Sequence, residues 1–235
     1  LTDKASQPMS YANQRYWISY NGEVYNFIEL REELKVKGHS FVTDTDSEVI
    51  LAAYHEWGKD CLKKFNGMWG MAIWDKEKQK LFLARDRWGV KPLHYLYLPQ
   101  KVFAFASETI AFNYLDNFQR RINKENVARC LNNSASLEAN GYTIFQNIYQ
   151  VLPGHYMEMD AESPPVQKRW WNTLEHLVDV PKSYDEQVEK FKELFEDSCR
   201  LRMRSDVSLA SALSGGMDSS SVYCMLHWLM KNNPE

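Results

Sequence analysis

Near the C-terminal end, Ser214-Gly215-Gly216-Met217-Asp218-Ser219-Ser220 gathers the residue types that hold a phosphate. An apolar run, Val207 to Leu213, precedes it, and a helix-like run, Val222 to Lys231, follows. Strand, small-residue loop and helix in that order aim loop N–H groups and the positive end of a helix dipole at one point, where negative charge is favoured. The adjacent glycines let the main chain approach an anion with no Cβ in the way. A Gly-Lys-Ser/Thr ending is missing, so this is not the loop of the common P-loop nucleotide hydrolases. Taken alone, the same residues also make an ordinary Gly/Ser turn between strand and helix.

A second constellation lies near the other end. Asn21-Gly22-Glu23 follows a strand-like run, Tyr16 to Tyr20, and reads as breaking it, because Asn-Gly is a common turn dipeptide. Asn26 reads as the N-cap of a helix that carries Leu30 and Leu34 on one face and stops at Gly38. Thr45-Asp46-Ser47-Glu48 reads as a capping box for a second helix, stopping near Gly58, and a carboxylate at Asp46 suits any first helical turn. From Gly67 the period changes to two. Met68–Trp74, Lys80–Ala84, Pro92–Leu98 and Lys101–Ala106 read as short strands joined by polar turns, with helices packed outside. Arg85-Asp86-Arg87 reads as structural rather than catalytic. Residues 161–183, with Pro164-Pro165 and Pro181, give the clearest linker signal, and Tyr184 to Met203 has helical apolar spacing at Val188, Phe191, Leu194, Phe195 and Cys199.

Composition narrows the class. The 235 residues are 14% aromatic, which suits a packed core rather than disorder. A net charge of −3 with no basic stripe argues against nucleic acid. Cys61, Cys130, Cys199 and Cys224 are too scattered for a zinc or disulfide framework and read as reduced thiols of a cytoplasmic protein. No apolar run is long enough to cross a bilayer, so no membrane partner is expected. A lone strand, loop and helix cannot complete a nucleotide site, so the chain reads as a piece of a longer protein.

Several stretches, taken in order, carry a family resemblance. Tyr20-Asn21-Gly22-Glu23-Val24-Tyr25-Asn26, Thr45 to Ile50, Phe65-Asn66-Gly67-Met68-Trp69 and Ala84 to Leu93 resemble the class II glutamine amidotransferase domain of glutamine-hydrolysing asparagine synthetases. Leu213 to Ser220 resembles the pyrophosphate loop of the ATP pyrophosphatase family, at the start of their synthetase domain. The resemblance covers nearly the whole chain and is weakest over residues 110–183. It implies an α+β layered, N-terminal-nucleophile-hydrolase-like glutaminase domain with antiparallel sheets between helices over residues 1–160, its N-terminal part missing. A linker over 161–183 and the beginning of an α/β ATP-pyrophosphatase-type domain over 184–235 would follow.

The resemblance also implies roles. Asn21 and Gly22 would form an oxyanion hole, and Glu23 and Asp46 would hold the α-ammonium of glutamine. Leu213, Ser214, Gly215, Gly216, Asp218, Ser219 and Ser220 would bind ATP and its pyrophosphate, with Asp218 assisting a magnesium ion. The family nucleophile, an N-terminal Cys thiol, has no counterpart here, and Cys61 reads as a core residue. The implied reaction is ATP-dependent amidation of aspartate by ammonia from glutamine, through an acyl-adenylate, releasing AMP and pyrophosphate. Two alternatives stay open: another acceptor carboxylate, or a non-catalytic glutamine or nucleotide sensor. Oligomeric state is not legible in these residues, and a homodimer is one assembly they allow.

Overall fold

Side chains on a strand point alternately to opposite faces, and here that alternation decides which layer each residue enters. The computed structural model describes residues 6–116, 118–133, 135–138 and 140–232. The chain divides into two units, Thr2–Asn172 and Thr173–Glu235. The first unit begins with β1 (Met9–Tyr11), β2 (Tyr16–Val24), α1 (Phe27–Val36), α2 (Asp46–Trp57), α3 (Cys61–Lys64), β3 (Gly67–Asp75) and β4 (Lys80–Arg85). It continues with β5 (His94–Leu98), β6 (Val102–Ala106), α4 (Lys124–Asn132), α5 (Ala135–Glu138), β7 (Ile148–Gln150), β8 (His155–Met159) and β9 (Lys168–Arg169). A six-stranded sheet runs in the order β1-β2-β3-β4-β8-β9, and a three-stranded sheet in the order β6-β5-β7. Every pairing in both is antiparallel.

Met71 and Ile73 of β3, Phe82 and Ala84 of β4 and Tyr156 of β8 face one core, shared with Leu30 and Leu34 of α1, Val49 to Ala53 of α2 and Cys61 and Leu62 of α3. Their neighbours Ala72, Leu83 and Met157 face the other way and meet Tyr95, Tyr97, Phe103 and Phe105 of the second sheet. Leu96, Leu98, Val102 and Ala104 point to a third cluster, closed by Phe112 and Ile148. The layers are therefore helices, large sheet, small sheet, the α+β arrangement expected. Each fully buried Leu, Ile or Phe contributes about 1.5–3 kcal/mol.

Local readings fared unevenly. β2 does not break at Asn21-Gly22; its register with β3 runs unbroken from Tyr16↔Asp75 to Val24↔Gly67. Asn26 precedes α1 but makes no capping bond. Its side chain instead accepts from Asn66 N–H and donates to Lys64 C=O, tying the start of α1 to the entry of β3. Thr45 does cap α2 through Glu48 N–H. The Glu48 carboxylate, however, turns to Val42 N–H, Thr43 N–H and the Thr43 hydroxyl, so only half of the expected box forms. Within 161–183, Lys168 and Arg169 pair with β8, and Trp170 packs on the helix-side core, stacked on Trp69.

The second unit holds α6 (Tyr184–Arg202) and α7 (Met217–Asn232). Ser183 and Glu186 form a full capping box that starts α6. The strand expected over Val207–Leu213 is absent: those residues are not in regular structure, and Val207, Leu209 and Leu213 are 60%, 55% and 60% exposed. A strand needs a neighbour to take its N–H and C=O groups, and the described residues of this unit provide none.

One buried charge ties the first unit together. Asp86 is 1% exposed, and its carboxylate accepts from the N–H groups of Trp69, Trp88, Val90 and Lys91. Asp86→Ala would leave these donors unpaired, at about 1–3 kcal/mol for each that stays buried. The expected loss in urea unfolding is at least about 3 kcal/mol, and a loss under 1 kcal/mol would contradict this role.

Candidate active site

The edge of the large sheet at β2 is where the predicted residues gather. β1 pairs with β2 as far as Ile18, and among the described residues Ser19 to Val24 have a strand partner on the β3 side. In an antiparallel pair, successive N–H groups point to alternate edges. Tyr20 N–H points away from β3 and donates to Gln7 Oε1 at 2.6 Å. Val24 N–H points the same way and donates to Asp46 Oδ2 at 3.0 Å. Gly22 lies midway between them, so the same alternation sends its N–H to the edge away from β3. Among the described residues Tyr20 and Val24 have side-chain acceptors there, and the Gly22 amide turns the same way between them.

The glycine is required by packing. Gly22 pairs with Trp69 in the close, non-hydrogen-bonded geometry. A Cβ on Gly22 would lie 2.2 Å from Met68 O and 2.7 Å from Trp69 Cα, both main-chain atoms. Gly67, opposite Val24, is squeezed in the same way against Glu23 O. What reads as a turn dipeptide is thus a place where two strands press together.

Asn21 points to the other face of β2, where its Nδ2 donates to Ser107 Oγ at 3.0 Å. Ser107 directly follows β6, and its C=O accepts from His94 Nδ1 at 2.9 Å. Burial pushes His94 below the usual imidazole range. Because a carbonyl only accepts, the Nδ1 nitrogen carries the hydrogen.

Asp46 is half-buried in the first turn of α2. Its Oδ2 accepts the Tyr20 hydroxyl at 2.9 Å as well as Val24 N–H, which leaves capacity on Oδ1. Burial raises its carboxyl above the ordinary 3.8, and the bonds from Val24, Tyr20 and Ser47 counter that only in part. Glu23 is exposed. The Tyr20 phenol is held well above its usual range by burial first, then by the charge of Asp46, with a further contribution from Glu23. Tyr20 therefore lies within the fields of both predicted ammonium ligands.

Arg85 donates to the carbonyls of Gly89, Lys91 and Val151, and Arg87 to those of Phe65 and Lys63, while stacking on Trp170 and Trp171. Cys61 is fully buried in the helix-side core, and burial pushes its thiol far up, so it supplies no nucleophile to β2. Tyr20 opens the motif Tyr20–Asn26 but has no role legible in sequence, and neither have Gln7 and Ser107. A polar residue directly after the apolar strand Val102–Ala106 was the signal for the last.

In the second unit, Ser214 to Gly216 form the loop that leads into α7, with Gly215 at φ +83°. Ser219 Oγ accepts from Ser214 N–H, lies 2.9 Å from Ser214 Oγ and donates to Gly216 C=O. The Ser220 N–H to Gly216 C=O bond enters α7, so the amides just before Ser220 belong to its unpaired first turn. Leu213 and Asp218 are exposed. Among the described residues no three His, Cys, Asp or Glu side chains gather as a metal site. A lone carboxylate still fits a magnesium ion that is held mainly through phosphate oxygens.

Two antiparallel sheets layered on each other, with helices packed on the large one, are the fold of the N-terminal-nucleophile-hydrolase type of glutamine amidotransferase. Glutamine phosphoribosylpyrophosphate amidotransferase from B. subtilis has this fold in common with the chain, at TM-score 0.50 and 18% identity, over 94% of this chain and 47% of that one. A model of the glutamine amidotransferase domain matches residues 1–171, and one of asparagine synthase matches residues 190–233. The chain belongs to the glutamine amidotransferase domain family and runs on into an asparagine synthase segment. Asparagine synthetase [glutamine-hydrolyzing] 1 of Bacillus subtilis is 36% identical over 220 residues, covering 94% of this chain and 34% of that protein. Putative asparagine synthetase [glutamine-hydrolyzing] 2 of Methanocaldococcus jannaschii is 34% identical, covering 94% and 45%. The chain thus spans between a third and a half of the length of these relatives.

The raised Asp46 carboxyl gives a stability test. A folded-state value above the unfolded one favours the neutral acid, so the contribution is full below the unfolded value and is lost as pH rises through the folded one. At pH 7 Asp46→Asn should therefore raise Tm, by about 2–4 °C for each kcal/mol relieved. The gain should shrink in acid, where Asp46 is itself neutral; a gain independent of pH would rule out the burial argument. Gly22→Ala should act oppositely and lower Tm at every pH, because the strands cannot separate around its Cβ.

Proposed function

We infer that the intact protein is a glutamine-hydrolysing asparagine synthetase, in which this chain provides the glutaminase site and the start of the synthetase site. The observation that carries the reading is the Gly22 N–H, turned to the edge of β2 away from β3, between two amides that side chains already take. Amide hydrolysis passes through a tetrahedral oxyanion, which is stabilised best by donors fixed in advance. Gly22 N–H and the Asn21 carboxamide are such donors, and a rigid sheet edge holds them with little reorganisation.

Glutamine also presents an α-ammonium. Asp46, charged at neutral pH and with Oδ1 capacity to spare, would accept it together with Glu23, and the Tyr20 hydroxyl would fix the Asp46 rotamer. The thiol that attacks the glutamine amide would come from the N-terminal Cys that the family resemblance implies, since Cys61 is sealed in the core. Ammonia released there would pass to a second site, where ATP activates the acceptor carboxylate as an acyl-adenylate.

At that second site the serine hydroxyls of 214 and 219 now bond each other, and an arriving pyrophosphate would replace those bonds with stronger, charge-assisted ones. Gly215 leaves open space for its oxygens, and the Cβ position of Gly216 meets the Ser214 hydroxyl at 3.6 Å. Asp218 would share a magnesium ion, whose charge offsets the phosphates, and Leu213 would lie against the nucleotide. Aspartate as acceptor, and a cytoplasmic setting, rest on the likeness to asparagine synthetases.

Three substitutions in the intact protein test this. Asn21→Ala should lower glutaminase kcat by about 100-fold or more. Asp46→Asn should raise the glutamine KM at least about ten-fold while ammonia-dependent synthesis holds, about 1.4 kcal/mol of lost binding. Asp218→Ala should abolish pyrophosphate release yet leave glutaminase activity measurable. Pyrophosphate release at the parent rate would remove the second-site assignment, and equal losses with glutamine and ammonia would reduce Asp46 to a folding role.

A further inference from the structure

We propose that Ser107 is a positioning residue for glutamine hydrolysis, holding the Asn21 carboxamide so that one Nδ2 hydrogen stays free for the oxyanion. The proposal rests on the reading of Asn21 and Gly22 as the oxyanion donors. An Asn amide group has two N–H bonds and an easily turned terminal torsion. Left alone, the plane of the amide swings, and its donor and acceptor ends exchange places. Ser107 Oγ takes one of the two hydrogens at 3.0 Å, and planarity then fixes where the other points.

The serine is itself anchored. It follows β6, whose last residue Ala106 pairs with His94 of β5. The His94 ring reaches past that pair and donates from Nδ1 to the Ser107 carbonyl at 2.9 Å. The hydroxyl is thus carried by the small sheet, while Asn21 is carried by the large one. Their bond joins residues 86 apart in sequence and sets the two sheets against each other at the site. A contact whose only use were packing would not need a hydroxyl aimed at an amide.

The test is a double-mutant cycle in the intact protein, with glutaminase and ammonia-dependent synthesis both measured. Ser107→Ala should lower glutaminase kcat by about ten-fold, with the glutamine KM within about two-fold and the ammonia-dependent rate unchanged. Ser107→Thr, which keeps the hydroxyl, should restore most of the kcat. In an Asn21→Ala background, Ser107→Ala should cost nothing further, because there is no amide left to orient. Additive losses in the double mutant, or equal losses with both nitrogen donors, would overturn the proposal by pointing to general destabilisation. Ser107→Ala at full kcat beside a crippled Asn21→Ala would overturn it while leaving the oxyanion reading intact. Asn21→Ala at full kcat would sink the oxyanion reading, and this inference with it.

Discussion

The site at β2 depends on a carboxylate that never touches it. Asp86 is buried, and an unpaired charge there would cost several kcal/mol. It is tolerable because the chain wraps four amides around it, three from the turn after β4 and one from Trp69 of β3. The Asp86 main chain adds a second tie, donating to Trp69 C=O and accepting from Gly89 and Gly154 N–H. Trp69, together with Met68 O, presses on Gly22. The turn also leads into β5, and β5 carries His94, which anchors Ser107. Both faces of the candidate oxyanion hole therefore trace back to one buried anion and the loop that solvates it.

Arg85 and Arg87 extend that logic with opposite charge. Each guanidinium donates to main-chain carbonyls, Arg85 toward the small sheet and Arg87 toward the residues before β3. The Arg-Asp-Arg triplet is a hub that solvates backbone from three directions, which loops packed against a core require. The sequence reading of this triplet as structural rested on charge alone, and the geometry gives it a physical account.

Much of the first unit was legible because its strands obey a period of two with a different core on each side. Ala72 between Met71 and Ile73 is a residue whose neighbours face another layer, and so is Leu83 between Phe82 and Ala84. Features that needed a partner far along the chain were not legible. Asn21-Gly22 looks like a turn until β3 is placed against it. Asn26 looks like a cap until Asn66 arrives, and Glu48 like half of a box until Thr43 folds back. Val207–Leu213 fails for the converse reason: the pattern of a strand is local, but its hydrogen bonds are not. For the site, the family motif supplied Asn21, Gly22 and Asp46. It includes Tyr20 without a role and does not include Gln7 or Ser107; the roles of all three exist only once side chains from separate segments meet.

A sheet edge is ordinarily a liability, because its free amides invite another strand. Here β1 stops early, and side chains take over: Gln7 occupies the Tyr20 amide and Asp46 the Val24 amide. Among the described residues, side chains take the two flanking donors, and the Gly22 amide lies between them, turned the same way. The arrangement costs stability, since Asp46 is held charged where burial favours its neutral form. A protein selected only for its fold would gain by an Asn at position 46 or by a longer β1. Under the proposed function, the charge and the short strand stay together because the edge accepts a ligand bearing a positive group and a developing negative one. That pairing of opposite demands within a few residues of β2 is what a free amino acid with a reacting side-chain amide presents.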